Sequence, residues 1–401
     1  MAVLKDVSLE EAVSLLAEAL PRPTRDEVSL DDALGRVLAA DLASRADHPS
    51  LDDSALDGYA VRAADTAGAS GDAPRRLRVV AEVPAGSPWG GTVREGEAAR
   101  IFTGAPVPTG ADGIVAVEHT REEGGDVLVL RPARPEIRAR GQDLRAGEVY
   151  LRRGTRLAPA HVALAAAMGH ARLPVLERPR LAVLATGDEL LQPGTDLPPG
   201  GVYDSNSYGL VALARAAGAE ARRLDGVADD LPALRDALES AGDAHLVLTS
   251  GGVSMGARDF VRHLLEREGE VRFWRVRLKP GGPPLLGSWR GRTVFGVPGN
   301  PVSAMVVFTV IVRPALHAAW GISGAPYEKV LATAATPFRG AGAKVALQRG
   351  TLAAQGSGWT VSAHANQSSG VLRSLSESNA LVVVPPGSEV APGDTVEAIR
   401  L

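Results

Sequence analysis

Near the start of the chain Leu9, Ala12, Val13, Leu16, Ala19 and Leu20 recur at the three-and-four spacing of a helix with one apolar face. Ser8, with Glu11 three residues on, supplies a capping box, and Pro21 and Pro23 end the run, so an amphipathic helix is predicted there. From residue 46 to 137 the period changes. Short apolar runs such as 77–83 and 127–130 are separated by Gly, Pro and Asp clusters, the pattern of a small β-rich unit. Helix returns at Pro159, in the first turn of an Ala-rich stretch that reaches Met168 and is closed by Gly169. Beyond residue 174, apolar runs at 181–185 and 246–248 read as buried strands, while 208–217 and 231–241 have helical periodicity. Such alternation predicts a parallel α/β sheet. After it come only strands and turns, at 345–347, 359–362, 380–384 and 396–401, which predicts a β-barrel-like end. The expected division is a helical or mixed unit made from 1–45 and 138–173, an inserted β-rich unit at 46–137, an α/β unit at 174–322 and a β-barrel-like unit at 323–401.

Composition narrows the chemistry. A chain of 401 residues with 45% hydrophobic and 22% charged residues suits a compact multidomain protein. A net charge of -4 without a long Lys/Arg run argues against nucleic acid as a partner. No Cys is present, which removes disulfides, thiolate metal sites and a cysteine nucleophile; any metal must be held by oxygen or imidazole. The start carries Lys5, Asp6, Glu10, Glu11 and Glu18 and so lacks the apolar core of a signal peptide. The longest apolar stretch, 302–312, is interrupted by Ser303 and Thr309 and is expected to stop at Arg313-Pro314, short of a bilayer span. A cytoplasmic location with no membrane partner is expected.

In an open parallel sheet, ligands bind beyond the carboxyl ends of the strands. Four stretches there stand out: Thr186-Gly187-Asp188-Glu189-Leu190; Ser250-Gly251-Gly252-Val253-Ser254-Met255-Gly256 followed by Asp259; Lys279-Pro280-Gly281-Gly282-Pro283-Pro284; and Pro298-Gly299-Asn300-Pro301. The second offers several unencumbered N–H groups, suited to an oxyanion, although alone it also reads as a tight turn with Asp259 as a helix cap. Glu189 and Asp259, with Asp229 or Asp230, are candidate hard-oxygen ligands for Mg²⁺, while each one singly reads as a cap or a surface charge. Outside the sheet, the stretch from Asp52 to Ala60 places Asp52, Asp53 and Asp57 around Gly58 and Tyr59, and Thr103-Gly104-Ala105-Pro106 has one hydroxyl in a stiffened loop. By themselves these pass as an Asx-turn and an ordinary loop. The eight His are scattered without motif context, so no Ser-His-Asp arrangement is expected.

Taken in this order, the stretches resemble the molybdopterin molybdenumtransferase (MoeA) family, whose animal counterpart is the C-terminal domain of gephyrin, over nearly the whole chain. The resemblance implies an elongated homodimer of four-domain subunits with shared active sites. It implies an α/β unit like that of the smaller molybdopterin adenylyltransferases. The implied reaction joins molybdate to adenylyl-molybdopterin, giving molybdenum cofactor and AMP, with Mg²⁺ as cofactor. Molybdopterin adenylyltransferase and cofactor-accepting apoenzymes are the implied protein partners. Carried over by position, Asp57, Thr103, Asp143, Asp188 and Lys279 are implied catalytic residues. Ser250, Gly251, Gly252, Ser254, Pro298, Pro301, Arg349 and Ser369 are implied to bind substrate, and Glu189, Asp229 and Asp259 the metal. Two positions depart from the family pattern: Gly282 stands where many relatives carry a second lysine, with Arg275 and Arg277 nearby to compensate, and Gln142 replaces a commoner acid. Three alternatives stay open at this level: an ATP-dependent molybdopterin adenylyltransferase, a non-catalytic gephyrin-like scaffold or cofactor carrier, and tungstate as the metal.

Overall fold

The computed structural model describes residues 3–227, 230–252 and 259–401. Its centre is a seven-stranded sheet, built from β1 (Leu4–Val7), β2 (Arg180–Ala185), β3 (Glu220–Arg223), β4 (Leu246–Ser250), β5 (Gly269–Val276), β6 (Leu285–Trp289) and β7 (Arg292–Val297). The spatial order is β1-β5-β6-β7-β4-β2-β3. The predicted parallel pairing holds for β1 with β5 and for β3, β2, β4 and β7; β6 runs antiparallel to both neighbours, so the sheet is mixed. Strand β6 returns by the short Lys279–Pro284 connection, which leaves no length for the crossover helix a parallel partner needs.

The helix α1 (Leu9–Ala19) carries the predicted capping box: Ser8 N–H donates to the Glu11 carboxylate at 2.7 Å and Glu11 N–H to Ser8 Oγ at 3.1 Å. It docks on the α/β sheet. Sequence reading grouped the first residues with the helical or mixed unit; instead β1 pairs with β5, and Val7, Ala12, Leu16 and Leu20 share one core with Phe295, Phe308 and Ile311. The apolar face of α1 finds its matching surface there. The remaining helices of the unit are α2 (Asn206–Ala216), α3 (Leu231–Ser240), α4 (Phe260–Glu268) and α5 (Pro301–Val307).

Past α5 the helix does not stop at Arg313-Pro314. It widens into a π-helical stretch, Phe308–Val312, and resumes as Arg313–Ala319, so that Pro314 falls in a first turn where its missing N–H is tolerated. Among the described residues this is the one helix long and apolar enough to cross a membrane, and it is 67% buried within the protein.

Residues 25–176 leave and rejoin this unit. Arg25–Ser29 pairs with Arg172–Leu176, and Val28, Leu38, Leu144, Leu157, Met168 and Leu173 form a separate core closed by the helix Pro159–Ala167. The inserted β-rich unit is a six-stranded sheet in the order Gly113–Ala116, Gly58–Val61, Glu97–Ile101, Arg75–Val83, Asp126–Val129, Thr120–Glu123. At the C-terminal end, Val345–Gln355, Gly358–Ala363, Lys329–Ala334, Thr395–Arg400 and Ala380–Val384 pair in that order, and the last returns to the first, closing a five-stranded barrel. Barrel residues Leu347, Leu381 and Ile399 belong to the α/β core, which fixes the barrel against the sheet.

Candidate active site

The loops after β2, β4 and β7 meet at the carboxyl edge of the sheet. Thr186 N–H donates to Ser250 O at 3.0 Å, and Gly251 N–H to Val297 O at 3.2 Å. Gly251 adopts φ +98°, and a Cβ there would lie 2.6 Å from Thr186 O, so only glycine fits this turn. The amide of Asn206, the first residue of α2, bridges two loops by donating to Ser250 Oγ at 2.8 Å and to Gly299 O at 2.7 Å. Buried Asp204 holds α2 in place by accepting from Ser207 N–H at 3.0 Å and from the Ser207 hydroxyl. Thr186 Oγ1 and Thr249 Oγ1 are buried in the same region without a hydrogen-bond partner.

On one side of these loops a cavity of about 900 Å³ opens toward the barrel. Lys279, Arg339, Arg349 and His364 line it, with Pro298, Ser303 and Ser369, and no Asp or Glu does. Lys279 reaches it because Leu278–Lys279 adds a short parallel strand to the barrel, Lys279 opposite Ala346. Arg349 is 1% exposed and has no carboxylate partner: Nε donates to Ser374 Oγ at 3.1 Å, and Nη2 to Ser368 O at 3.1 Å and Asn366 O at 3.3 Å. Burial pushes its pKa below the usual value. Ser369 O accepts from Val302 N–H at 3.2 Å, and Pro301 begins α5 beside it. Arg275 and Arg277 do not compensate for Gly282. Both turn to the N-terminal strand, Arg275 Nε pairing with the Asp6 carboxylate at 3.2 Å and Arg277 Nη1 donating to Asp6 O at 2.6 Å. The cation beside Gly282 is Lys344, whose Nζ lies 3.9 Å from the position of a Cβ on that glycine.

On the other side lies a cleft of about 470 Å³ with the opposite sign. Asp188, Asp196 and Asp204 line it with Gly187, Gln192 and Gly226, and among the described residues no Lys, Arg or His does. Glu189 is exposed and folds back, its Oε2 2.8 Å from the position of a Cβ on Gly187, while Asp259 is buried at the start of α4. Asp230 caps α3 by accepting from Ala233 N–H at 3.0 Å. Asp229 and Ser254 lie outside the described residues. Among the described residues no group of three His, Asp or Glu is placed to hold a metal; the expected Glu189, Asp229 and Asp259 set includes a residue outside them.

In the inserted unit Asp57 and Thr103 do come together. One Asp57 carboxylate oxygen accepts from Thr103 N–H at 2.7 Å and from Thr103 Oγ1 at 2.8 Å, and these bonds hold its pKa below the usual carboxylate value. The two stretches are laced by the backbone, Gly104 N–H donating to Ser54 O at 2.8 Å and Ser54 N–H to Ala105 O at 2.9 Å. Gly58 allows the close approach of Val115 O, which would stand 2.0 Å from a Cβ. The three neighbouring carboxylates take separate partners: Asp52 accepts from Arg140 N–H, Asp53 pairs in two-pronged fashion with Arg138, and Asp57 holds Thr103. Arg100 lies over the rings of Tyr59 and Phe102 with a buried Nη1 that lacks a partner. Tyr59, buried and bonded to Glu122, has its pKa pushed up to about 12. Asp143 is exposed on a turn anchored by its own N–H to His48 O at 3.0 Å; it lines neither cavity, nor do Asp57 and Thr103.

Comparison with known proteins accounts for this layout. The MoeA N-terminal region (domain I and II) matches residues 7–169, a probable molybdopterin binding domain matches 182–318, and the MoeA C-terminal region (domain IV) matches 332–401. Molybdopterin molybdenumtransferase 2 of Mycobacterium tuberculosis is 40% identical over 97% of this chain and 98% of its own length. The chain belongs to the MoeA family. The molybdopterin molybdenumtransferase of Haemophilus influenzae is 36% identical over 77% of this chain and 76% of its own. The crystal structure of the MoeA protein from Pyrococcus horikoshii superposes with a TM-score of 0.85 at 30% identity, covering 99% of this chain and all of that one. Several site residues of this MoeA protein carry no sequence signal of their own. Asn206 reads as an ordinary first residue of a helix, and Arg339 and His364 stand outside any motif. His364 lines the cationic cavity and bonds Glu377 at 2.9 Å.

Proposed function

We propose that the protein is a molybdopterin molybdenumtransferase, inserting molybdate into adenylyl-molybdopterin with release of AMP. The observation that carries this reading is the cavity lined by Lys279, Arg339, Arg349 and His364 with no carboxylate, set beside loops rich in N–H groups. Molybdate and the pyrophosphate bridge of the substrate are both anionic, and fixed cations in a recessed site stabilise such groups more than water-exposed ones do. Among the described residues Arg349 is held by serine and backbone oxygens alone, so no acid offsets its charge. Lys279, which lines the same cavity, would orient the oxyanion, with Ser369 as a hydrogen-bond partner. Asp57 and Thr103 are offered by the inserted unit of a second subunit in a homodimer with shared sites.

Magnesium enters this reading as a counter-ion to the substrate's pyrophosphate. The cleft lined by Asp188, Asp196 and Asp204 offers the hard oxygen atoms such an ion prefers, but both oxygens of Asp204 are engaged by Ser207, and the described residues do not complete a site. A cytoplasmic location belongs to the same proposal. The test is to incubate the purified protein with adenylyl-molybdopterin and molybdate, with and without Mg²⁺, and to measure AMP and active cofactor; a parallel arm with tungstate reads the metal preference. AMP release that requires the oxyanion supports the reading. Turnover of ATP with free molybdopterin, and no AMP release from the adenylate, would replace it with adenylyltransferase activity.

A further inference from the structure

A second cationic cavity shares no lining residue with the candidate active site. It is a small hollow at the junction where residues 35–37 and Arg156 of the helical or mixed unit meet the loop 176–179 and the helix Arg313–Ala319 of the α/β unit. Its volume is about 40 Å³, room for roughly three water-sized groups on a scale where each needs ~10–15 Å³. A nucleotide does not fit, whereas the inward face of a single tetrahedral ion does. Arg36, Arg156, Arg178, Arg313 and His317 line it, against an apolar floor that includes Leu316 and Trp320.

These cations are poorly matched by acid. Glu177 is the one carboxylate lining the hollow, and it is committed elsewhere: one oxygen accepts from Thr24 N–H at 2.7 Å, the other from Arg180 Nη1 at 2.5 Å. Arg36 gives Nη2 to Asp26 and to Leu176 O, which leaves its Nε buried with no partner; its side chain is 11% exposed. Arg178 has one long bond, to Gly218 O at 3.4 Å. Arg156 lies over Gly218, its Nη2 2.8 Å from the position of a Cβ there, and among the described residues neither Arg156 nor Arg313 has an ion pair or a side-chain hydrogen bond. Arg313 is partly buried, and burial together with Arg156 lowers its pKa; the same two causes, with Arg313 itself, lower that of His317. Like charges gathered from two units around one hollow repel unless something negative sits among them.

We propose that this hollow is a binding site for a small tetrahedral oxyanion of the phosphate or sulfate class, separate from the candidate active site. The ion would accept from Arg36 and Arg156 on one unit and from Arg178 and Arg313 on the other. It therefore ties the returning segment to the α/β sheet, and its binding stabilises the junction by mass action on the folded state.

The test is calorimetric titration of the purified protein with inorganic phosphate at constant ionic strength, with chloride as the reference ion and acetate as a planar, singly charged control. Wild-type protein is expected to bind phosphate saturably and acetate at least tenfold more weakly. Arg156→Gln and Arg313→Gln should each weaken phosphate about tenfold or more, the effect of losing one charge-assisted bond. Lys279→Ala, in the candidate active site, should leave the Arg156-dependent part of this binding unchanged. Arg156 is exposed, so its replacement leaves the fold intact even if the Arg313 variant proves unstable. Absence of phosphate binding beyond the chloride reference, binding unchanged in Arg156→Gln, or binding lost in Lys279→Ala overturns the proposal.

Discussion

The two cavities beside the Ser250–Gly252 turn differ in sign and share no lining residue. Among the described residues the larger gathers Lys279, Arg339, Arg349 and His364 without an acid, and the smaller gathers Asp188, Asp196 and Asp204 without a base. The source of the charges explains the contrast. The cationic set comes largely from the barrel and from the short strand that joins it, so it exists only where two units meet. The acidic set comes entirely from loops of the α/β unit. On the proposed function, one substrate carrying an oxyanion-accepting end and a pyrophosphate would meet opposite fields; the turn between the cavities is held by Asn206. The inserted unit differs from both, because its candidate site residues already bond one another: Asp57 uses one oxygen to accept from both donors of Thr103, an arrangement that fixes geometry before any ligand arrives.

The largest effect is expected from the cationic side. Lys279→Ala should lower AMP release on the order of a hundredfold and raise the molybdate requirement, whereas Asp188→Asn should slow AMP release with the molybdate requirement unchanged. If both variants shift the molybdate dependence alike, the two cavities act as one and the contrast fails. Next comes the shared-site arrangement. Asp57→Asn and Lys279→Ala proteins, each inactive, should recover roughly a quarter of wild-type activity when mixed in equal amounts with free subunit exchange. Half of the dimers are then mixed, each with one intact site of two. A mixture that stays inactive, although differential tags prove exchange, places each site within one chain.

A smaller effect is expected at the turn between the cavities. Asn206→Ala removes two bonds worth ~0.5–1.5 kcal/mol each, so kcat/KM should fall about tenfold while the thermal midpoint changes little. An unchanged kcat/KM would mean that the loops hold their positions without the bridge. The smallest effect is spectroscopic. Tyr59 in the folded protein ionises only near pH 12, above the unfolded value near 10. Its neutral form therefore contributes stability fully below pH 10, and that contribution is lost as pH rises toward 12. Alkaline titration of phenolate absorbance should show a late step that Tyr59→Phe abolishes; a Tyr59 step near 10 would show the inserted unit to be looser than its hydrogen bonds imply.

Much of this architecture was legible in the chain because it rests on local signals. The capping box at Ser8, the strands at 181–185 and 380–384, and the helix closed by Gly169 follow from periodicity and punctuation alone. Legibility ended where partners far apart in sequence decide. Nothing local shows that α1 belongs on the α/β sheet, since its apolar face would suit any core, or that β6 runs antiparallel. Helical continuation past Pro314 depends on a widened turn that no composition rule marks. At the site, Lys279 was found through its neighbours in sequence. Arg349 was found by resemblance, and its isolation from any acid emerged only with the barrel in place. The approach of Lys344 to Gly282 joins residues from two units, and Arg275 and Arg277, closer in sequence, are drawn off by Asp6.

The edge position of β1 has a consequence for the time order of synthesis. Val7 pairs with Val276, so the first strand of the chain waits for a partner made about 270 residues later. At ~5–20 residues per second the ribosome needs roughly 15–50 s to supply it. Throughout that interval the apolar face of α1, with Ala12 and Leu16 destined for complete burial, has no sheet to cover it. The units formed by residues 25–176 carry their own cores and are complete before β5 exists, which shortens the effective loop but leaves α1 behind. A nascent chain stalled before residue 276 therefore exposes a greasy helix, the feature that holdase chaperones grip and that drives newborn chains to associate with one another.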